Sequence, residues 1–256
     1  HLFTKHFGNE KRRHDFDEMI RRKQLGFNEQ NPWSPEKEVE RKKELEEERR
    51  RRSLGFNEEN PWCQEKEDEL IREDQELQLF TACEDGNKYI VKRLLLCDNL
   101  NLNCVGGSTG GRGMEQKKTK TPGATPLFKA CQKNHIEVVT MLLLQSDRVD
   151  VNQATDEGMT PLYIACDKNR TEIVRLLLDT NRVKVNQATE KHTTPLCIAS
   201  WAGNLEIVRL LLLQPNIDID VQDDFGDTAM SAATGKGHEE VVALLQVHAR
   251  KMEATT

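Results

Sequence analysis

The sequence predicts an all-α fold: a solenoid of helix-turn-helix units with extended fingers, preceded by a charged helical extension. The first observation behind this is a repeat. Thr125-Pro126-Leu127, Thr160-Pro161-Leu162, Thr194-Pro195-Leu196 and Thr228-Ala229-Met230 follow one another at 35, 34 and 34 residues, and a fixed period of this length marks stacked supersecondary units. The second is the apolar segment that trails each start, at Ile136 to Leu144, Thr171 to Leu178, Leu205 to Leu213 and Glu239 to Leu245, with Val, Ile and Leu three and four apart as on one face of a helix. The third is a contrast in texture, since residues 1–76 carry 17 Lys/Arg and 21 Asp/Glu with few branched aliphatics.

The extension, residues 1–76, is expected to be helical or partly disordered, because it has too few apolar side chains to offset the entropy of ordering a core. Within it, Pro35 to Arg52 sets opposite charges four apart at Glu38/Lys42, Lys42/Glu46, Lys43/Glu47, Glu46/Arg50, Glu47/Arg51 and Glu48/Arg52. Each such pair stabilises an exposed helix by about 0.2–0.5 kcal/mol, so a solvated helix is expected. Its apolar residues Val39 and Leu45 are too few for a coiled-coil seam. The region is duplicated, because Leu25 to Trp33 (LGFNEQNPW) returns as Leu54 to Trp62 (LGFNEENPW) 29 residues later. Gly26 and Gly55 read as helix ends, and Asn31-Pro32 and Asn60-Pro61 as the N-cap and first-turn proline of the next helix. The aromatic pairs Phe27/Trp33 and Phe56/Trp62 fit either a local cluster docking on the rest of the chain or a linear motif displayed twice to a partner. The basic runs Lys11 to Arg13 and Arg49 to Arg52 lie among acidic residues, without interleaved aromatics to stack bases, and read first as solvated helix.

The array, residues 77–250, explains itself unit by unit. Threonine caps a short first helix whose first turn holds proline, where the missing N–H costs nothing. A break such as Lys133-Asn134 or Ala202-Gly203 reverses the chain, and the second helix packs back on the first. Segments such as Val149 to Asn152 and Val183 to Asn186 lead out as extended fingers. No unit buries its apolar face alone, so stacking closes the core. A degenerate first copy starts at Leu77, and the polar stretch around the last copy suits an outer face; five units are expected, followed by a tail at 251–256. Between the first and second units an insertion within residues 105–124 is expected to replace the finger with a long loop. Its glycines, Gly106, Gly107, Gly110, Gly111 and Gly113, do not make a phosphate loop, because Arg112-Gly113 stands where Lys-Ser/Thr is needed and no apolar strand precedes. A flexible tether carrying Lys117, Lys118 and Lys120 is the better account.

A Thr-Pro-Leu start, a small pair after it, a Glu-Val/Ile-Val-x-x-Leu-Leu second helix and a Val-Asn exit resemble the ankyrin repeat. The position after Thr-Pro-Leu departs from that pattern, being Phe128, Tyr163, Cys197 and Ser231, and the finger-turn glycine is His192 in one copy. The resemblance implies protein binding through the finger tips and the exposed side of the first helices, which line a concave groove. Carried over, the partner-binding residues are Asp156, Glu157 and Met159, then Glu190, Lys191 and Thr193, then Asp224, Phe225 and Asp227 on the fingers, with Gln132, Lys133, Asp167, Lys168, Trp201, Ala202 and Lys236 on the helices. Trp201 stands out as a large aromatic among charged neighbours, the composition of an interface hot spot; the alternative is lateral packing on the next repeat. Acidic fingers facing a row of lysines point to a partner of mixed charge.

Chemistry beyond binding finds little support. Cys83, Cys131 and Cys166 share one repeat position with Ser200 and Thr234, which reads as a tight column that excludes bulk rather than a metal site. Cys97 and Cys104 have no histidine at ligand spacing, and His135 and His238, at the starts of second helices, take the packing and hydrogen-bonding role the resemblance implies. No Ser/His/Asp or Cys/His set is brought together by the repeat geometry, so no catalytic, cofactor or metal residues are expected and the chain is read as a non-enzyme. Seven cysteines without a short frame argue for reduced thiols, and no run of apolar residues is long enough to span a bilayer. A net charge of −6 lacks the basic surplus of a dedicated nucleic-acid binder. The expectation is an intracellular, monomeric scaffold or adaptor, cytoplasmic or nuclear, opening on His1 as a piece of a longer chain. Two alternatives stand beside it: a regulatory module whose extension docks in its own groove, and nucleic-acid or chromatin association through the basic runs.

Overall fold

A computed structural model describes residues 34–53, 64–105 and 121–253, and it divides the chain into a unit of residues 1–70 and one of residues 71–256. The duplicated motifs at 25–33 and 54–62, the basic run at 11–13, the loop at 106–120 and the end of the tail at 254–256 lie outside the described residues.

In the first unit, α1 (Pro35–Ser53) is the charged helix the spacing predicts. Lys42 pairs with Glu38 at 2.7 Å, Arg51 with Glu47 at 3.5 Å and Arg52 with Glu48 at 2.7 Å, and Arg41 adds a bridge to Glu44 one turn away. Glu36 and Glu38 sit in the first turn and Arg50, Arg51 and Arg52 in the last, each sign at the end of the helix dipole that favours it. Val39 remains exposed, as expected of a helix without a seam.

The second unit is a stack of five helix pairs. The first pair is the later part of α2 (Gln64–Asp85) with α3 (Lys88–Leu94). Four more follow: α4 (Pro126–Lys133) with α5 (Ile136–Leu143), α6 (Pro161–Asp167) with α7 (Thr171–Asp179), α8 (Pro195–Trp201) with α9 (Leu205–Leu212), and α10 (Ala229–Lys236) with α11 (Glu239–Glu253). First helices pack in one row, α4 on α6, α6 on α8 and α8 on α10; second helices pack in another, α3 on α5, then α7, α9 and α11. The shared interior is aliphatic, with Leu127, Val139, Leu142, Leu162, Ile173, Leu177, Leu196, Ile207, Leu211 and Leu245 at most 1% exposed. No strand occurs among the described residues.

Each first helix starts as its sequence dictates. Thr125, Thr160, Thr194 and Thr228 hold extended backbone, and their hydroxyls accept from the N–H of Phe128, Tyr163, Cys197 and Ser231, satisfying one of the free donors of a helix start. The small column is a packing column. Ala130, Ala165, Ala199 and Ala233, and beside them Cys83, Cys131, Cys166 and Ser200, are fully buried. Thr234, in the same column, is exposed.

Asparagine ties one exit segment to the next. The Asn103 amide donates to the Arg148 carbonyl at 2.8 Å and its oxygen accepts from the Asp150 N–H at 2.8 Å. Asn152 repeats this with Arg182 and Lys184, and Asn186 with Asn216 and Asp218. Arg148 adds donors to the carbonyls of Cys97 at 2.7 Å and Leu100 at 3.0 Å, tying the exit of the second repeat to that of the first. The insertion differs from expectation in one respect. A finger turn survives at Thr121-Pro122-Gly123, with Gly123 at φ 74° and the Pro122 carbonyl accepting from the Asp156 N–H. The extra residues therefore precede the finger rather than replace it.

Candidate binding groove

The fingers are tight turns joined edge to edge. Thr155 N–H donates to the Met159 carbonyl, Thr189 to Thr193 and Asp223 to Asp227, closing each finger at 3.0–3.1 Å. Between fingers, the N–H of Glu190 donates to the Glu157 carbonyl at 3.1 Å and that of Asp224 to the Lys191 carbonyl at 3.2 Å. The turn needs a left-handed residue, supplied by Gly158, Gly226 and, in the fourth repeat, His192 at φ 56°. A side chain there costs some backbone strain. In return the ring is placed outside, where His192 Nδ1 lies 2.7 Å from Asp224 Oδ1 on the next finger.

Of the residues assigned to partner binding, Asp156, Glu157, Glu190, Lys191, Asp224, Phe225 and Asp227 are exposed on the fingers, while Met159 and Thr193 are half-buried. On the helices Lys133, Lys168, Trp201 and Lys236 are exposed, and Gln132, Asp167 and Ala202 half-buried. Two sets come together. Lys168 closes on Asp167 at 2.9 Å, and Lys236 Nζ stands 4.4 Å above the Trp201 ring, a cation–π contact between neighbouring repeats. Trp201 makes the lateral contact that the sequence offered as one alternative, and 48% of its surface stays in solvent. Phe225, at 82%, is the most exposed of the large apolar side chains among the described residues.

Two features escaped sequence reasoning. Lys129 is 4% exposed and stands where other repeats have Ile164, Ile198 and Ala232. Its ammonium reaches Glu84 at 3.5 Å and lies 5.9 Å from the Phe80 ring, so a buried charge joins the first two repeats; the break in an apolar column was its signal. Tyr163 is half-buried, and burial together with the nearby Asp167, Cys197, Cys166 and Glu157 pushes its hydroxyl up to about 12. The packing and hydrogen-bonding role expected of His135 and His238 takes the form of a pairing between repeats. His135 Nε2 lies 3.0 Å from the Glu84 carbonyl and His238 Nε2 3.0 Å from that of Trp201, and both rings fill space left by a glycine in the preceding repeat, Gly86 and Gly203.

Among the described residues no group of three or more His, Cys, Asp or Glu is arranged to hold a metal ion, and no helix is long and apolar enough to cross a membrane. The thiols of Cys83, Cys104, Cys131, Cys166 and Cys197 are buried, and burial pushes them up, to about 11 for Cys197. Such thiols are poor nucleophiles near neutral pH.

No curated protein matches the sequence at a significant level. A family model described as ankyrin repeats (3 copies) matches residues 56–154, 79–189, 144–223 and 196–255, which together cover most of the chain. With the Thr-capped helix pairs, the asparagine ties and the joined fingers, this match establishes that the chain belongs to the ankyrin-repeat family.

Proposed function

We propose that the chain is a non-catalytic scaffold or adaptor that holds a partner protein in the groove between its fingers and first helices. Ankyrin repeats are in general protein-interaction modules, and the groove supplies what an interface needs: a rigid platform, charged side chains of both signs, and an aromatic anchor. The observation that carries the reading is Trp201, fixed on one side by Lys236 at 4.4 Å and half open to solvent at a first-helix position. An aromatic held this way loses little freedom on binding, which is why such residues concentrate interface energy. The acidic fingers and the lysines of the helix row suit a protein of mixed charge better than a polyanion.

The test is affinity capture with the wild-type chain and Trp201→Ala, after circular dichroism shows both equally helical. Partners retained by the first and lost by the second support the groove. Identical sets would move recognition elsewhere on the chain.

A further inference from the structure

The groove over the third, fourth and fifth repeats has an apolar side and a charged side, and the charge has a sign and a spacing. Trp201 and Phe225 are its exposed aromatics, with Met159 and Tyr163 half-buried beside them. At the same place on three successive fingers stand Asp156, Glu190 and Asp224, all exposed, and each finger's N–H at this residue bonds to the preceding finger, so the column is held in register. Glu157 and Asp227 add further carboxylates. Deeper in, the charged groups near enough to act on the Tyr163 hydroxyl are Asp167 and Glu157, and those acting on the Cys197 thiol are Asp223 and Asp227. Every one of them is negative. Of the lysines, Lys168 is on Asp167 and Lys236 is on the Trp201 ring, while Lys133 in the helix row and Lys191 on the fourth finger are exposed; on the fingers the carboxylates remain in the majority, although Asp224 also meets His192.

We propose that this groove seats a partner segment with arginine or lysine about 10 Å apart on one face, its cations against the finger carboxylates and an apolar side chain against Trp201. This rests on the groove reading above and adds the chemistry of the occupant. The spacing follows from stacking, since packed helices lie about 8–10 Å apart. A polyproline II segment returns to the same face every third residue, after about 9.3 Å, and a helix every seventh, after about 10.5 Å. Nucleic acid is repelled by the same carboxylates.

The probes are synthetic peptides, each with one leucine: arginine at every third residue in a proline-rich frame, arginine at every seventh in an alanine-rich frame, and an isomer of each, of the same composition, with its arginines clustered at one end. Fluorescence anisotropy with the full chain at about 0.15 M salt, where distant charges are screened, is expected to show one periodic peptide binding about tenfold more tightly than its clustered isomer. Glu157→Lys/Glu190→Lys should remove about tenfold of that affinity, whereas Glu172→Lys/Glu239→Lys, an equal change of charge on the second helices α7 and α11, should leave it unchanged. Equal binding of clustered and periodic peptides, equal loss from the second-helix variant, or no saturable binding overturns the proposal. If captured protein partners survive Glu157→Lys/Glu190→Lys but are lost with Trp201→Ala, the groove reading stands and the cationic occupant falls.

Discussion

Gly86 and Gly203 show how one residue can depend on another a repeat away. Both have positive φ, and a Cβ on Gly86 would come within 2.4 Å of His135 Nδ1, one on Gly203 within 2.6 Å of the His238 ring. Gly237 also has positive φ but nothing within 4 Å. Alanine at 237 therefore meets backbone strain alone, about 1 kcal/mol, while alanine at 203 adds overpacking of about 1–3 kcal/mol. Urea titration should show Gly203→Ala less stable than Gly237→Ala, and His238→Ala should restore part of the difference; equal losses would mean the ring simply moves aside. The thiols give a pH prediction. Burial raises Cys83, Cys104, Cys131, Cys166 and Cys197 above the ordinary thiol value, so at alkaline pH the folded chain keeps protons that the unfolded chain releases. Their contribution is fully present below about pH 8.5 and declines as pH rises above it. Melting temperature should fall between about pH 8.5 and 11, and Cys131→Ala/Cys166→Ala should flatten the slope.

Between residues and repeats, the elements follow two kinds of instruction. Helix starts were legible because Thr-Pro states its own geometry: an oxygen that caps and a ring that suits the first turn. The apolar period gave the second helices Ile136–Leu143, Thr171–Asp179 and Leu205–Leu212 to within a residue, while α11 continues past its apolar stretch to Glu253. The asparagine of each Val-Asn exit was visible, but its bonds were not, since Asn152 reaches residues 182 and 184 only after the repeats have stacked. The finger at Thr121-Pro122-Gly123 was hidden for a different reason: its Pro-Gly turn merges with a glycine-rich run that reads as tether. Asn152→Ala leaves the Lys184 N–H and the Arg182 carbonyl without this partner. A loss of about 1–3 kcal/mol is expected, measured by chemical denaturation, and a loss below about 0.5 kcal/mol would show that water replaces the bonds.

For the whole molecule, stability is a sum over neighbours, because each repeat of the array touches the repeats on either side. The groove is a product of that stacking. Lys236 meets Trp201 and His192 meets Asp224 only across repeat boundaries, so the sequence could name Trp201, Phe225 and the acidic fingers by position but not the contacts that hold them. His192 was visible as a missing glycine, and its link to Asp224 was not. Fixing the groove depends on the fourth and fifth repeats staying docked, and Leu211→Ala, at a fully buried site in α9, should cost about 2–5 kcal/mol and weaken partner binding along with the fold.

The central claim is that recognition sits in the groove. Hydrogen exchange of the chain alone and bound to a captured partner tests it most directly. The account predicts slowed exchange at the finger residues 156–159, 190–193 and 224–227 and in α8, with the outer faces of α7 and α9 unchanged. Slowing confined to the second helices, with the fingers exchanging as in the free chain, would contradict it.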